Sequence, residues 1–148
     1  MEIKKITPFL WFNNDAEEAA NFYCSVFKKS KMINANPSMA IFELDGQRFM
    51  GGNFGPQYQF TEATSFFVSC DSQEEVDYFW DQLTAGGGKE GRCGWLKDKF
   101  GLSWQIVPSA FGGLVSGPDP LKSQRVFAAL QQMNKIDIKK LQEAYDGN

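Results

Sequence analysis

Residues 6–27, ITPFLWFNNDAEEAANFYCSVF, decide the fold. The first eight are rich in aromatic and β-branched side chains and predict a strand over 6–13. Pro8 favours a strand start or a sheet edge, because proline cannot donate to a β-ladder. Asn14 and Glu17 have the spacing of a capping box, which predicts that a helix begins here. The apolar residues that follow recur at helical spacing, at Ala19, Phe22, Tyr23, Val26 and Phe27.

More strands are predicted after this helix. Residues 39–44 and 47–53 have strand-like composition, and Asp45-Gly46 between them is the strongest short hairpin signal. The order is therefore β-α-β-β, and a further short strand near residues 31–35 would extend it to βαβββ.

The same order of elements returns 58 residues later, where Ser65 aligns with Thr7. Residues 65–70 predict a strand, and Ser72 with Glu75 forms a second capping-box spacing. An apolar helical stripe follows and is interrupted by three consecutive glycines, Gly86, Gly87 and Gly88.

The end of the second unit also matches the first. Strands are predicted over 91–97 and 102–107 around a turn at residues 98–101, and a shift of 55 residues aligns Phe49 with Trp104. We interpret this pattern as an internal duplication, with a single ferredoxin-like sheet, which also repeats β-α-β, as the alternative. Units of about 50 residues are individually marginal and need a shared core or a partner chain.

The region after Pro108 predicts a helical tail. Its first residues, SAFGGLVSGP, have the composition of a flexible linker. Asp119-Pro120 then places an N-cap before a proline at the first helical position. A last short helix is predicted from about Asp137 to Tyr145. Because the apolar stripe of the tail needs a partner, we expect it to serve as a lid or as a dimer contact.

The composition excludes several classes of protein. The chain has 148 residues, 15 basic and 18 acidic side chains, a net charge of -3 and no histidine. Nucleic-acid binding needs clustered basic residues, and histidine is the commonest metal ligand and neutral-pH acid–base catalyst. The three cysteines, Cys24, Cys70 and Cys93, form no CxxC pair, so neither a zinc site nor a disulfide framework is expected.

No targeting or membrane-spanning segment is expected. The first six residues include two lysines but are followed by no apolar region typical of a signal peptide. No apolar run approaches the roughly 18 residues that a membrane span requires. A soluble, cytoplasmic protein without membrane or nucleic-acid partners is therefore the expectation.

Three stretches carry a resemblance to a known family: residues 7–14, TPFLWFNN; residues 93–108, CGWLKDKFGLSWQIVP; and residues 133–137, MNKID. With them the chain resembles the PhnB-like branch of the vicinal oxygen chelate superfamily, the glyoxalase and bleomycin-resistance proteins. The branch is also described as a demethylubiquinone methyltransferase domain. The resemblance extends from about residue 4 to residue 146.

The resemblance implies an α+β fold in which two βαβββ modules form an open, barrel-like sheet around a cavity. It predicts a single domain over residues 1–148, with module one at about 4–55, module two at about 62–108 and a helical tail at about 119–146. It also implies a homodimer. Whether the modules pair within one chain or between chains stays open.

Metal-dependent members of the superfamily place four ligands on the first and last strands of the two modules. The corresponding positions here are Thr7, Met50 (within one residue), Ser65 and Gln105. A hydroxyl, a thioether, a hydroxyl and a neutral amide supply no anionic charge, whereas hard cations prefer carboxylate oxygen. We therefore expect neither the metal chemistry of the family nor any other cofactor.

Methyl transfer is not favoured either. Nucleotide-derived cofactors usually bind a glycine-rich turn that follows a strand and opens a helix. The triplet at 86–88 instead follows a predicted helix, where glycine commonly ends it. Phosphonate chemistry, which the name of the family suggests, would need a basic pocket, and no arginine cluster is expected on the inner face.

Strand alternation predicts which side chains line the cavity. If Thr7 occupies a ligand position, Phe9 and Trp11 face the cavity with it, whereas Leu10 and Phe12 face away. Arg48 shares a face with Met50 and is expected to be the only fixed charge inside. The complete predicted lining is Thr7, Phe9, Trp11, Arg48, Met50, Ser65, Phe67, Ser69, Cys93, Ser103, Gln105 and Val107. These residues form either an aromatic binding pocket or simply the filled core of the barrel.

Candidates for catalysis are few. Cys93 would be nucleophilic only if its pKa were lowered, and without a histidine to activate it an inert thiol is favoured. Asp98 lies in a predicted turn and is interpreted as a turn former rather than a general base.

Two functions remain open. The first is a non-enzymatic protein that binds a small hydrophobic or aromatic molecule, as bleomycin-resistance relatives do. The second is a glyoxalase-like lyase, isomerase or dioxygenase-type enzyme that uses an atypical metal or none. The aromatic cavity and the loss of metal ligands favour the first.

Overall fold

The computed structural model describes residues 4–148, which divide into two compact units between Phe60 and Thr61. The prediction that the chain has no N-terminal signal peptide depends in part on residues 1–3, which lie outside the described residues. The first unit contains β1 (Phe9–Phe12), α1 (Ala16–Val26), β2 (Ser30–Ala35), β3 (Met39–Leu44) and β4 (Gln47–Asn53). This is the βαβββ order that the sequence predicts, including the short strand after the helix.

The first unit is a four-stranded sheet with α1 on one face. The strand order is β1-β4-β3-β2, with β1 parallel to β4 and the other neighbours antiparallel. The core between sheet and helix is aromatic: the Phe42 and Phe49 rings stack at 5.4 Å and Tyr23 lies 6.1 Å from Phe42. At the predicted hairpin, Asp45 and Gly46 have φ of 49° and 83°, as a type I′ turn requires.

The predicted start of α1 is wrong. The helix begins at Ala16 with Asp15 as N-cap, and the Asp15 side chain makes no capping hydrogen bond. The amide of Ala16 donates instead to the side-chain oxygen of Asn53, at the end of β4, at 2.9 Å. The Asn14–Glu17 capping box therefore does not form, because a side chain distant in sequence satisfies the helix end.

The second unit repeats this architecture. It contains β5 (Ser65–Cys70), α2 (Gln73–Thr84), β6 (Lys89–Glu90), β7 (Trp95–Lys97) and β8 (Ser103–Pro108), with strand order β5-β8-β7-β6. The two βαβββ modules are thus confirmed. They form two separate four-stranded sheets in the described residues, which excludes the single ferredoxin-like sheet.

Local signals for α2 are confirmed. The Ser72 hydroxyl accepts a hydrogen bond from the Glu75 amide at 3.1 Å, as its capping box predicts. The helix buries Val76, Trp80 and Leu83. It ends at Thr84, and the glycines that follow end it as expected.

The tail contains three helices, α3 (Ala110–Val115), α4 (Pro120–Leu130) and α5 (Ile138–Asp146). The predicted flexible linker is wrong over residues 110–115, because they form α3 despite their glycine-rich composition. Asp119 caps α4 as predicted, and Asp137, the predicted start of the last helix, is the N-cap of α5. None of the five helices described over residues 4–148 is long and apolar enough to cross a bilayer.

The apolar stripe of the tail is covered within the second unit. The buried side chains of this tail cluster are Val107, Leu114, Val126, Leu130, Ile136 and Leu141. The stripe therefore needs no second chain to cover it, contrary to the reasoning that made the tail a lid or dimer contact.

Candidate functional site

The helix-free face of the first sheet carries most of the residues predicted for this unit. The strand register places Phe9 beside Met50 and Trp11 beside Gly52, so these positions share one face. Leu10 and Phe12 lie on the opposite face and are buried. The alternation read from the sequence is therefore confirmed.

Four rings on this face form a cluster that we call the aromatic surface: Phe9, Trp11, Phe54 and Tyr58. The Phe54 ring stacks on Phe9 with a centroid separation of 5.8 Å, and the Trp11 ring centroid lies 5.0 Å from those of both Phe54 and Tyr58. The Trp11 indole donates a hydrogen bond to the Gly55 carbonyl at 2.9 Å, which fixes its orientation.

The aromatic surface is open to solvent. Phe9 is 45% exposed, Phe54 49% and Tyr58 60%, whereas large aromatic side chains normally bury most of their area. Phe54 and Tyr58 follow β4 in a loop, so strand alternation could not identify them. Their only sequence signal was a high aromatic content after the last strand of the module.

Gly52 makes room for this cluster. A Cβ at this position would lie 2.5 Å from the Phe54 ring and 3.0 Å from Phe9, so a larger residue would displace a ring. The neighbouring Gly51 points to the helix side, where a Cβ would lie 3.0 Å from buried Phe12.

A row of charges crosses the same face. The register aligns Lys31, Glu43 and Arg48, and the Glu43 carboxylate lies 3.4 Å from Arg48 Nη2 and 3.8 Å from Lys31 Nζ. Arg48 is buried and Glu43 largely so. The expectation of a single fixed charge is therefore wrong, because Glu43 and Lys31 occupy the neighbouring positions on adjacent strands.

The second sheet also has a face directed away from α2, and the tail helices cover this face at Val107. Ser65, Phe67 and Ser69 alternate along β5 on this face, beside Gln105 of β8. Phe67 is 61% exposed and Ser69 is exposed. The Gln105 side-chain amide donates to the Ser65 hydroxyl at 2.9 Å, so these two predicted site residues contact each other.

One row on this face contains only hydrogen-bond donors and hydroxyls. The register aligns Lys89, Lys97, Ser103 and Ser65 across all four strands, and we call them the lysine–serine row. Ser103 is fully buried, and its hydroxyl has no hydrogen-bond partner among the described residues. Strand alternation predicts Ser65 and Ser103 on this face, whereas Lys89 and Lys97 could not be assigned to the row because the register of the short strands β6 and β7 was unknown.

Two further residues of the predicted lining, Thr7 and Cys93, lie just outside the strands. Thr7 precedes β1 and its hydroxyl donates to the Lys4 carbonyl at 3.0 Å. Cys93 precedes β7 with φ of 60°, its amide donates to the Met133 carbonyl at 2.8 Å, and its side chain packs against the tail cluster.

The Cys70 thiol is buried, and burial controls its ionisation. Burial raises the pKa of Cys70 to about 12, with a smaller contribution from the negative charges of Glu75 and Asp71. This thiol is therefore neutral at physiological pH and unsuited to nucleophilic attack.

Asp98 is a structural carboxylate. One side-chain oxygen accepts hydrogen bonds from the amides of Phe100 and Leu102 at 2.9 and 3.0 Å, and the other accepts from the Trp104 indole at 2.9 Å. Its side chain is buried within the turn that joins β7 to β8. The geometry is that of a turn former, as the sequence predicts.

The residues predicted at the superfamily's metal positions do not have the chemistry that suits a divalent cation. Thr7, Met50, Ser65 and Gln105 provide no carboxylate or imidazole, and the Ser65 and Gln105 side chains bond to each other. Within residues 4–148, no three His, Cys, Asp or Glu side chains come together in a group that could hold a metal.

Comparisons with known proteins agree with this architecture. The model of a family described as 3-demethylubiquinone-9 3-methyltransferase matches residues 4–107. A solved PhnB protein from Bacillus cereus is 34% identical, with a TM-score of 0.65 over 72% of this chain and 100% of the other. No curated protein matches.

More distant structures share the fold alone. A glyoxalase/bleomycin resistance protein from Albidiferax ferrireducens is 18% identical, with a TM-score of 0.52 over 66% of this chain and 92% of that one. A fosfomycin resistance protein from Listeria monocytogenes, solved with Mn(II) and sulfate, is 13% identical, with a TM-score of 0.55 over 74% and 94% of the two chains.

Proposed function

This chain belongs to the PhnB-like family described as 3-demethylubiquinone-9 3-methyltransferase, within the vicinal oxygen chelate superfamily, and we propose that it is a small-molecule-binding protein. Its ligand is a small aromatic or amphipathic molecule. The aromatic surface of the first unit is the observation that carries this proposal.

The arrangement of the rings supports binding rather than core packing. Phe54 and Tyr58 contact Phe9 and Trp11 on the side of the sheet away from α1, and three of the four rings stay about half exposed. Each aromatic contact that a ligand makes is worth about 0.5–1.5 kcal/mol beyond the burial of apolar area. A planar ligand that covers several rings would therefore bind with useful affinity.

The proposal includes no methyl transfer and no metal chemistry. The Gly86–Gly88 triplet lies at the C-terminal end of α2 rather than at the N-terminus of a helix, so it does not form the usual cradle for a nucleotide-derived cofactor. The donor set at the metal positions likewise lacks the anionic oxygen that a divalent cation requires.

Titration with a neutral fluorescent aromatic probe, N-phenyl-1-naphthylamine, tests the proposal. We expect saturable binding to the wild-type chain and an affinity about tenfold lower in Phe54→Ala, because about 1.4 kcal/mol of ring contact is lost. Phe127→Ala is the matched control: Phe127 is 46% exposed on α4, also contacts one other phenylalanine, and lies in the second unit. Equal weakening in both variants, or no effect of Phe54→Ala, would contradict the proposal.

A native mass spectrum of the purified protein identifies the natural ligand. An organic adduct that is retained by the wild-type chain and lost from Phe54→Ala supports the aromatic surface as its site. A stoichiometric divalent metal would overturn the metal-free reading of Thr7, Met50, Ser65 and Gln105.

We further propose that the chain forms a homodimer. Strands β1, β2, β5 and β6 lie at the edges of their sheets, which makes them available for pairing with another chain. Sedimentation equilibrium is expected to give twice the chain mass of 16.7 kDa. If Phe54→Ala yields a monomer, the aromatic surface is the dimer interface and not the ligand site.

A further inference from the structure

Equivalent rows of residues are open in the first module and covered in the second. In the first sheet the strand register aligns Trp11, Gly52 and Met39, which we call the first row. The duplication places Ser69, Val107 and Cys93 at the equivalent positions, which we call the second row. The two rows can therefore be compared position by position.

The register supports this equivalence. Ser69 pairs with Val107 on parallel strands, as Trp11 pairs with Gly52 in the first module. On the other side of β8, the Ile106 amide donates to the carbonyl of the residue after Cys93 at 2.8 Å, which continues the antiparallel ladder beyond the end of β7. Cys93 therefore lies opposite Val107, as Met39 lies opposite Gly52.

The first row reaches solvent. Its central residue has no side chain, and the Phe54 ring lies over it, so that a Cβ on Gly52 would be 2.5 Å from the ring. Phe54 is itself 49% exposed. The chain continues after β4 as a loop, which leaves this part of the sheet open to a ligand.

The second row is covered by the chain's own tail. Val107 is 7% exposed and belongs to the tail cluster, and Cys93 packs against the same cluster. The chain continues after β8 as α3, whose Leu114 is a further member of the cluster. The tail thus occupies the place that is open to a ligand in the first module.

Residues 133–138, which we call the clasp, fasten the tail to the second sheet. The amides of Cys93 and Gly94 donate to the carbonyls of Met133 and Asn134, both at 2.8 Å. Ile136 of the clasp lies over Gly94, where an added Cβ would be 2.8 Å from its side chain. The clasp therefore holds the tail directly beside the second row.

Polar contacts with α2 complete the clasp. The Gln73 side chain donates to the Ile136 carbonyl at 3.0 Å and accepts from the Ile138 amide at 2.8 Å. Lys135 forms an ion pair with Asp77 at 2.9 Å, and both side chains are about 40% exposed. Contacts near solvent open before a buried core does, so the clasp is the place where the tail can detach.

We propose that the tail is an autoinhibitory cover. It occupies the second row as a ligand occupies the first, so the chain binds one small molecule, at the aromatic surface, and the second row opens when the clasp detaches. The buried side chains of the tail cluster outnumber the contacts that a small ligand can make, so the ligand does not displace the tail. The number of ligands rests on the proposed function, whereas the cover lies wholly within the second unit.

Hydrogen exchange of the Cys93 and Gly94 amides, followed by NMR, measures detachment of the clasp. Gln73→Ala removes both side-chain bonds to the clasp and is expected to accelerate exchange at least about fivefold, the effect of about one net hydrogen bond. Lys135→Gln is a milder variant that removes only the exposed ion pair, and it is expected to accelerate exchange about twofold.

Ser72→Ala is the matched control at the same end of α2. The Ser72 hydroxyl accepts from the Glu75 amide at 3.1 Å rather than contacting the clasp, so the variant weakens the helix and leaves the tail attached. Exchange of the Cys93 and Gly94 amides is expected to stay at the wild-type rate.

Titration with N-phenyl-1-naphthylamine shows whether the cover hides a binding row. In the wild-type chain, amide shifts are expected at Trp11 and Phe54 and not at Ser69 or Val107. In Gln73→Ala, saturable shifts of Ser69 and Val107 are expected, with an affinity that rises in proportion to the detached fraction. If Trp11 and Phe54 never respond while Ser69 and Val107 do so in Gln73→Ala, the proposed function fails and the cover stands.

Three results overturn the proposal. The first is a shift of Ser69 and Val107 in the wild-type chain at concentrations that saturate the aromatic surface. The second is equal acceleration of exchange in Ser72→Ala and Gln73→Ala, because the tail would then open only when the whole unit unfolds. The third is accelerated exchange in Gln73→Ala without any shift of Ser69 and Val107, because the tail would then cover no binding row.

Discussion

Replacing Gly52 with alanine is expected to disturb the aromatic surface and leave the core beneath it intact. An added Cβ would lie 2.5 Å from Phe54, whereas carbon atoms in ordinary contact are about 3.5–4.0 Å apart, so the ring must move by roughly 1 Å or more. Because Phe54 is 49% exposed, it can swing towards solvent. The contacts of Phe54 with Phe9 and Trp11 would then be lost.

The expected effect on stability is small. Two exposed ring contacts at about 0.5 kcal/mol each are lost. Replacing glycine by alanine within a strand returns about 0.5–1 kcal/mol of backbone entropy. The free energy of unfolding, measured with urea, is therefore expected to change by less than about 1 kcal/mol. The affinity for N-phenyl-1-naphthylamine is expected to fall about tenfold, as for Phe54→Ala.

Gly51→Ala is the matched control on the opposite face. Its Cβ would lie 3.0 Å from Phe12, which is only 3% exposed and cannot leave the core. Overpacking of this kind costs about 1–3 kcal/mol, while probe affinity is expected to stay at the wild-type value. Wild-type probe affinity in Gly52→Ala would refute the assignment of the aromatic surface.

Three further predictions concern stability. Asp98→Ala leaves three hydrogen-bond donors without their acceptor and should lower the free energy of unfolding by about 3–5 kcal/mol. The exposed N-cap variant Asp119→Ala should lower it by only about 1 kcal/mol. Similar urea midpoints for the two variants would contradict this prediction. Burial raises the pKa of Cys70 from 9.0 to about 12, so the contribution of the neutral thiol to stability is present below pH 9 and is lost as the pH rises towards 12. The urea midpoint should therefore fall less between pH 9 and 12 in Cys70→Ala than in the wild-type chain. The same pH dependence of the midpoint in both proteins would contradict this. Gly94→Ala places a Cβ 2.8 Å from Ile136 and 2.9 Å from the Ile106 carbonyl at a φ of 86°, and it should lower the free energy of unfolding by at least about 2 kcal/mol. Gly112→Ala is the control, because a Cβ there would meet no atom of the described residues within 4 Å, and its midpoint of thermal unfolding should not fall.

Regular patterns made much of the fold predictable. Alternation along β1 assigned Phe9 and Trp11 to one face, and the turn and cap residues at Asp45-Gly46, Ser72 and Asp119 marked real boundaries. These signals act over two to four residues, so they can be read without knowing the tertiary structure.

The missed features depend on contacts distant in sequence. Phe54 and Tyr58 lie in the segment between the modules, where no periodicity assigns a side chain to a face. The lysine–serine row becomes visible only when the register of β6, β7 and β8 is known. The α3 helix was concealed because glycine and serine have low helix propensity, which packing of Leu114 in the tail cluster overrides.

The two similar helices have different requirements for folding. The Ser72 cap of α2 closes over three residues, whereas the Asn53 cap of α1 joins positions 37 residues apart. Closing the longer loop costs more chain entropy, and contacts of high sequence separation slow folding. During synthesis α1 therefore remains without its cap until β4 has left the ribosome, while α2 can be capped as soon as its own first turn emerges.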